Sequence, residues 1–366
     1  MRQLTGRNKM TYTLRLTAIF TVLALLFCSA AACAEDKLVL VVTLIRHGDR
    51  TPCHAIPKHP YDWKLGLGEL TALGINQEYT LGKSFRAKYV EQLAFLPDKF
   101  DDRLVYARST NYNRTLMSAQ SFLCGLYPPG TGPLLDNGCP ALPYGYQPIP
   151  VRTVPEAQDT VLLGNRIYKK QVDELISRHV FTTDYWIRLT SAFKGNFERW
   201  GNLFGIKVNT LRDLIKPGDD LNVRLLKGVP LPAGLTEQDA RDLAMLFNVV
   251  LARECRPRKI GCLVSKGFII ELTDLMEKAI EGKSEYKFVL YSAHDTTMLP
   301  VLSAIGAPQD NQVPYASNVS FELYRNESGH YMKAAFNGRE IKFPFADDKT
   351  TCTVGQFRKG ALDDSW

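Results

Sequence analysis

The chain has 366 residues, of which 45% are hydrophobic and 23% charged, and a formal net charge of +7. That supports a full core in one or two domains and excludes the disordered, collagen-like and low-complexity classes. The positive balance is too mild, and too little interleaved with aromatic residues, for a nucleic-acid binder.

Residues 1–34 carry Arg2, Arg7, Lys9 and Arg15 and no acid. Leu16 to Ala34 is uncharged and rich in Leu, Ala, Phe and Val, and Ala32-Cys33-Ala34 offers a small-residue cleavage site. The pattern predicts a secretory signal peptide over 1–34, with an uncleaved anchor as the competing reading. Removing its four basic residues takes the charge from +7 to about +3. The mature chain is then expected to be secreted or periplasmic, without stable membrane insertion. Cys53, Cys124, Cys139, Cys255, Cys262 and Cys352 remain. An even count in an exported chain predicts disulfides. Cys255–Cys262 brackets a short basic loop, Cys124–Cys139 a Pro/Gly-rich one, and Cys53–Cys352 follows by elimination. No Cys-x-x-Cys pair supports zinc, and no metal is expected.

Leu38 to Ile45 is a nearly unbroken β-branched and leucine run, which reads as a strand buried on both faces. It ends at Arg46-His47-Gly48-Asp49-Arg50-Thr51-Pro52. Ligands of open α/β sheets bind beyond such strand ends. Arg46 and Arg50 suit phosphate oxygens. They also disfavour protonation of His47, leaving a neutral imidazole able to attack phosphorus. His54, His59 and Trp63 follow as candidates for lining a pocket. A helix is predicted over 69–93, with Leu70, Leu73, Leu81, Phe85, Tyr89 and Leu93 on its apolar face. A strand over 103–107 leads to a helix starting at Ser109 or Thr110, with Arg114 in its first turn. Arginine at the positive end of a helix gains nothing from the dipole, so an anion is expected to offset it.

Residues 127–156 read as a long connection with one short strand near Ile149. From 156 to 255 the pattern is helical and charged, with Trp186 and Trp200 as packing anchors. A helix near 266–281 and a strand at 287–291 then precede His294-Asp295. Asp295 suits the N-cap of a helix starting at Thr296. At a buried strand end His294 can also bind a phosphate oxygen and Asp295 can protonate a leaving group. Strands at 318–325 and 331–336 close the chain. The alternation predicts an α/β fold with a mainly parallel sheet flanked by helices. Its core is expected at 35–155 and 256–366, with an inserted α-helical cap at 156–255.

Three collinear stretches, Arg46–Pro52, Arg114-Thr115-Leu116-Met117-Ser118-Ala119 and Tyr291-Ser292-Ala293-His294-Asp295-Thr296-Thr297, together resemble the histidine acid phosphatases, branch 2 of the histidine phosphatase superfamily. Supporting stretches are Gly68–Gly74, Gln147–Val151 and Pro314–Ser317. The resemblance implies that His47 is the nucleophile and forms a phosphohistidine. It implies that Arg46, Arg50, Arg114 and His294 cradle the phosphate and that Asp295 is the proton donor. It implies small phosphate monoester substrates, an acid optimum and no cofactor. Asn111 departs from the aspartate that family members often carry there. A phytase or sugar-phosphate phosphatase of the same fold, and a secreted binding protein without catalysis, are the alternatives. The sequence fixes no oligomeric state and leaves a homodimer open.

Overall fold

In the computed structural model, which describes residues 36–365, the leading aliphatic run forms β1 (Lys37–Arg46). Its side chains alternate between two apolar layers, as the two-residue repeat of a strand requires. Leu40, Val42 and Leu44 pack with Phe268, Leu272, Met298, Leu302 and Phe321. Val41 and Ile45 pack on the other face with Phe85, Phe122, Leu126 and Phe288. A strand buried on both sides needs no polar face, which is why the run is almost unbroken.

The remaining strands are β2 (Val105–Ser109), β3 (Phe288–Ala293), β4 (Asn318–Asn326), β5 (Gly329–Phe336) and β6 (Arg339–Glu340). The six form one mixed sheet in the order β2-β3-β1-β4-β5-β6. β1 and β2 both pair with β3 in parallel, and β5 with β6 antiparallel. Helices α1 (Ala72–Arg86) and α2 (Asn113–Leu126) cover one face through Phe85, Phe122 and Leu126. Between α2 and β3 the chain forms α3 (Gly164–Ile167), α4 (Lys169–His179), α5 (Asp184–Phe193), α6 (Phe197–Phe204), α7 (Ile215–Lys227), α8 (Glu237–Cys255) and α9 (Arg258–Ile280). α9, α10 (Asp295–Ala304) and α11 (Val354–Leu362) cover the second face. A third apolar cluster gathers Trp186, Phe197, Trp200, Phe204, Leu221 and Leu243 with Ile56, which lies just beyond the motif loop. Trp186 and Trp200 are buried there, as expected of packing anchors. Of the described residues, 38–324 and 330–365 form one compact unit, and Arg325–Gly329 falls in a separate one.

Several local expectations need correction. The first helix ends as an α-helix at Arg86 and continues as a wider π-type turn over Ala87–Gln92. Leu73 and Leu93, expected on its apolar face, are exposed. Leu70, Phe85 and Tyr89 are buried as expected, and within the helix Gly74, Glu78 and Gly82 share the buried side with Phe85. The glycines let α1 approach neighbouring backbone so closely that a Cβ on Gly74 would strike the Asp49 carbonyl, and one on Gly82 the Phe122 carbonyl. α2 starts at Asn113, not at Ser109 or Thr110, because Ser109 still pairs with Ser292 in the sheet. No strand forms around Ile149, where only an isolated bridge joins Arg152 to Arg108. The helix expected at 266–281 starts eight residues earlier, at Arg258.

The predicted disulfides are not formed: all six described cysteines are free thiols. The Cys262 thiol is turned towards the Ala361 carbonyl at 3.4 Å, at the end of α11. Cys352 is buried beside Met332, to which its backbone bridges. Cys53 follows the motif loop, and its backbone amide donates to Asp219. The predicted signal peptide over 1–34 lies outside the described residues. Among the described residues no helix is long and apolar enough to cross a membrane.

Candidate active site at three strand ends

The parallel registers align Arg46 with Ala293 and Ser109 with Ser292, so β1, β2 and β3 finish at one edge. Each neighbour extends the ladder by one bond. The His47 amide donates to the Ala293 carbonyl at 3.1 Å, and the Thr110 amide to the Ser292 carbonyl at 3.0 Å. His47 and His294 thereby face each other with ring centroids 5.5 Å apart.

The loop after His47 is held by close backbone approach. A Cβ on Gly48 would collide with the Gly74 carbonyl, and Thr71, the N-cap of α1, bonds the Asp49 carboxylate. Asp49 also pairs with Lys227 at the end of α7. The His47 Nδ1 lies 2.9 Å from the Gly48 carbonyl oxygen. A carbonyl can only accept, so Nδ1 carries the proton and the Nε2 lone pair is free. Burial, reinforced by Arg46, His294, Arg114 and Arg50, holds the His47 pKa well below 6.5. The ring is therefore neutral and nucleophilic.

The three arginines have different surroundings. Arg46 donates to the Asp295 carboxylate at 2.7 Å and lies 4.4 Å from the Tyr315 ring centroid. It also bonds the Val313 carbonyl. Arg50 is gripped by both oxygens of Asp219, at 3.0 and 3.2 Å. Burial works against its charge, but Asp219 outweighs burial and raises the Arg50 pKa. Arg114, in the first turn of α2, has no carboxylate partner among the described residues. It reaches the Gly68 carbonyl and His294 Nδ1, both at 3.4 Å, and lies over the Tyr112 ring at 4.7 Å. Its buried Nε has no partner, and burial pulls its pKa down. The anion expected from its helix position is thus absent from the protein's own carboxylates.

His294 is the N-cap residue of α10 rather than Asp295, which occupies the first helical position. One Asp295 oxygen accepts the Thr296 amide at 2.7 Å while the other holds Arg46. His294 spans Thr110 Oγ1, 3.0 Å from its Nε2, and Arg114. Burial and then Arg114 hold its pKa well below 6.5. His47, Arg50, Arg114, His294 and Asp295 line one cleft of about 290 Å³. Arg46 reaches it through Asp295. The structure thus brings together all six residues singled out in the sequence.

Of the three pocket candidates, His54 lines the cleft. His59 contributes only a carbonyl to Arg224, and Trp63 is buried against Tyr61. Sequence reasoning missed Asp219, which ties α7 to Arg50 and accepts the Cys53 amide at 2.8 Å. Its one signal was an Asp-Asp pair beside Gly218 in an otherwise ordinary helix. It also missed Gln312, which accepts from Arg46 at 3.3 Å and lines the cleft. Among the described residues no group of three or more His, Cys, Asp or Glu could hold a metal ion.

The sequence matches the histidine phosphatase superfamily (branch 2) over residues 37–205 and 235–337. It is 31% identical over 336 residues to a lysosomal acid phosphatase of Xenopus laevis, covering 89% of this chain and 76% of that one. It is 30% identical over 331 residues to the testicular acid phosphatase of Homo sapiens, covering 86% and 74%. Among solved structures, the Klebsiella sp ASR1 phytase superposes with a TM-score of 0.63 at 16% identity, covering 90% of this chain and 96% of that one. The Citrobacter braakii phytase gives 0.62 at 16%, covering 90% and 98%. At that identity the structures share the fold. With the family match spanning most of the chain, this protein belongs to branch 2 of the histidine phosphatase superfamily.

Proposed function

We propose that the protein is a histidine acid phosphatase in which His47 is the nucleophile and Asp295 the proton donor. The observation that carries this is a buried, neutral imidazole with its Nδ1 proton held by Gly48 and its Nε2 free, set among three guanidiniums. A monoester docks its phosphate oxygens on Arg46, Arg50, Arg114 and His294. Arg114 can only donate, so His294 Nδ1 accepts from it and Nε2–H donates to Thr110 Oγ1; a phosphate that draws Arg114 away favours a second proton on Nδ1, which then donates to a phosphate oxygen. His47 Nε2 attacks in line: the N–P bond forms, the P–O bond to the leaving group breaks, and Asp295 transfers its proton to the departing oxygen. Water then attacks the phosphohistidine, Asp295 takes a proton from it, and inorganic phosphate leaves with His47 restored. The arginines stabilise the charge on the transferring group.

Arg46 is shared in this scheme. It is bonded to Asp295 in the structure, and a docked phosphate competes for the same guanidinium. Substrate binding thereby frees the carboxyl to face the leaving group. The helices of 156–255 act as a cap that closes one side of the cleft through Arg166, Ile215, Lys216, Asp219 and Phe247. We place the mature enzyme outside the cytosol after cleavage of residues 1–34, in keeping with the lysosomal and testicular acid phosphatases it resembles.

His47→Ala should lower kcat on phenyl phosphate by at least a thousandfold with the fold intact by circular dichroism. Retention of a tenth or more of wild-type activity would refute His47 as nucleophile.

A further inference from the structure

A second cavity, of about 470 Å³, lies beside the cleft, lined by residues after the motif loop and by residues 204–217. The two share His54 and Lys216 as lining residues, so they adjoin at that wall. The accessible apolar lining of the outer cavity is Ala55, Pro57, Leu67 and Ile206, laid over the buried Ile56 and Phe204. Its charged groups divide into satisfied and unsatisfied ones. Arg212 is paired with Asp173 at 3.1 Å and Glu254 at 2.7 Å. Asp213 accepts the Asn209 and Thr210 amides, each at 2.9 Å, on one oxygen, and keeps a single negative charge against the three cations of the lining. Asp219, on the cleft side, is taken by Arg50 and the Cys53 amide. Lys207 and Lys216 have no ion pair among the described residues, and both are exposed to the cavity. The pocket therefore offers an apolar wall and two lysines without an ion pair, which outnumber the one carboxylate left unpaired there, next to a site that turns over phosphate.

We propose that this outer cavity is the leaving-group pocket, and that it selects monoesters with an apolar body ending in a second anionic group. The inference rests on the phosphatase reading of the cleft. The reacting phosphate occupies the arginine cradle, the apolar body passes His54 and lies on Pro57, Leu67 and Ile206, and the distal anion meets Lys207 and Lys216. The requirement is one of shape and charge together. A plain alkyl ester gains the apolar wall only, and a short polar polyanion gains the lysines only.

The test compares linear α,ω-alkanediol bisphosphates of two to eight carbons with the alkyl monophosphates of the same length. In the wild type the ratio of kcat/KM, bisphosphate over monophosphate, should pass tenfold at a preferred length and fall away on either side. In the Lys207→Gln/Lys216→Gln double variant that ratio should collapse to near the statistical factor of two. Lys207→Glu/Lys216→Glu should bring it below one. A ratio near two at every length in the wild type overturns the pocket while leaving the phosphatase intact. So does a ratio the variants leave unmoved. Failure of the wild type to hydrolyse any monophosphate overturns both readings, and the monophosphate arm separates these cases.

Discussion

Replacing Arg114 by Met should stabilise the protein and disable it. The arginine is partly buried, its Nε has no partner, its hydrogen bonds are long at 3.4 Å, and no carboxylate faces it among the described residues. A buried polar group left unsatisfied costs about 1–3 kcal/mol. Its stacking over Tyr112 returns about 0.5–1 kcal/mol. Methionine keeps most of the stem and removes both effects, for a net gain of about 1 kcal/mol. In a protein of this size that raises Tm by about 1–3 °C. The functional side is larger. Charge-assisted hydrogen bonds contribute about 1.5–3 kcal/mol each, and two of them to a phosphate amount to a loss of at least about a hundredfold in kcat/KM. Differential scanning calorimetry with and without inorganic phosphate, alongside phenyl phosphate kinetics, reads both. Phosphate should raise the wild-type Tm and barely move that of the variant. A variant that melts several degrees lower without phosphate, or keeps kcat/KM within threefold, would refute the assignment.

Asp295→Ala should cost alkyl phosphates at least tenfold more in kcat than an aryl phosphate with a good leaving group, and equal losses would argue against a proton donor. Asp219→Asn leaves the buried Arg50 without its carboxylate, a change that costs about 3–5 kcal/mol when a buried pair is broken. Inorganic phosphate should restore part of that in a thermal melt, and a phosphate response no larger than wild type would contradict the anion role of Arg50. His47 and His294 are both held well below 6.5 by burial first. The unfolded chain therefore binds protons at these sites that the native state refuses, so their contribution is full above pH 6.5 and is lost as the pH falls below it. Each should remove about 1 kcal/mol of stability between pH 7.5 and 5.5. His47→Gln should flatten that slope in urea titrations, and an unchanged slope would show that the native imidazole is not held neutral.

The sequence carried the site further than it carried the helices around it. Strand ends were readable because β1 is buried on both faces and its apolar run stops abruptly at Arg46. The same stop at Ala293 placed His294 and Asp295. The face of α1 was read correctly at Phe85 but not at Leu73, because periodicity scores leucines, whereas the close contact is made by Gly74 and Gly82, whose value is the absence of a side chain. The start of α2 was misplaced because Ser109 and Thr110, good N-cap residues by type, are held by the sheet and by His294. Asp219 was invisible for a different reason. Its partner Arg50 lies 169 residues away, and one carboxylate on a charged helix gives no local sign of a long-range pair. Two cysteine pairs came from the loops they bracket and the third by elimination, neither of which says where a thiol points.

The most direct test of the account is rapid acid-free quenching of the enzyme with a 32P-labelled monoester, followed by peptide mapping. The account predicts an alkali-stable, acid-labile phosphoryl group on the peptide containing His47, formed in a burst and accumulating further in the Asp295→Ala variant if hydrolysis slows more than transfer. Label on no histidine, or on His294 in place of His47, would contradict it.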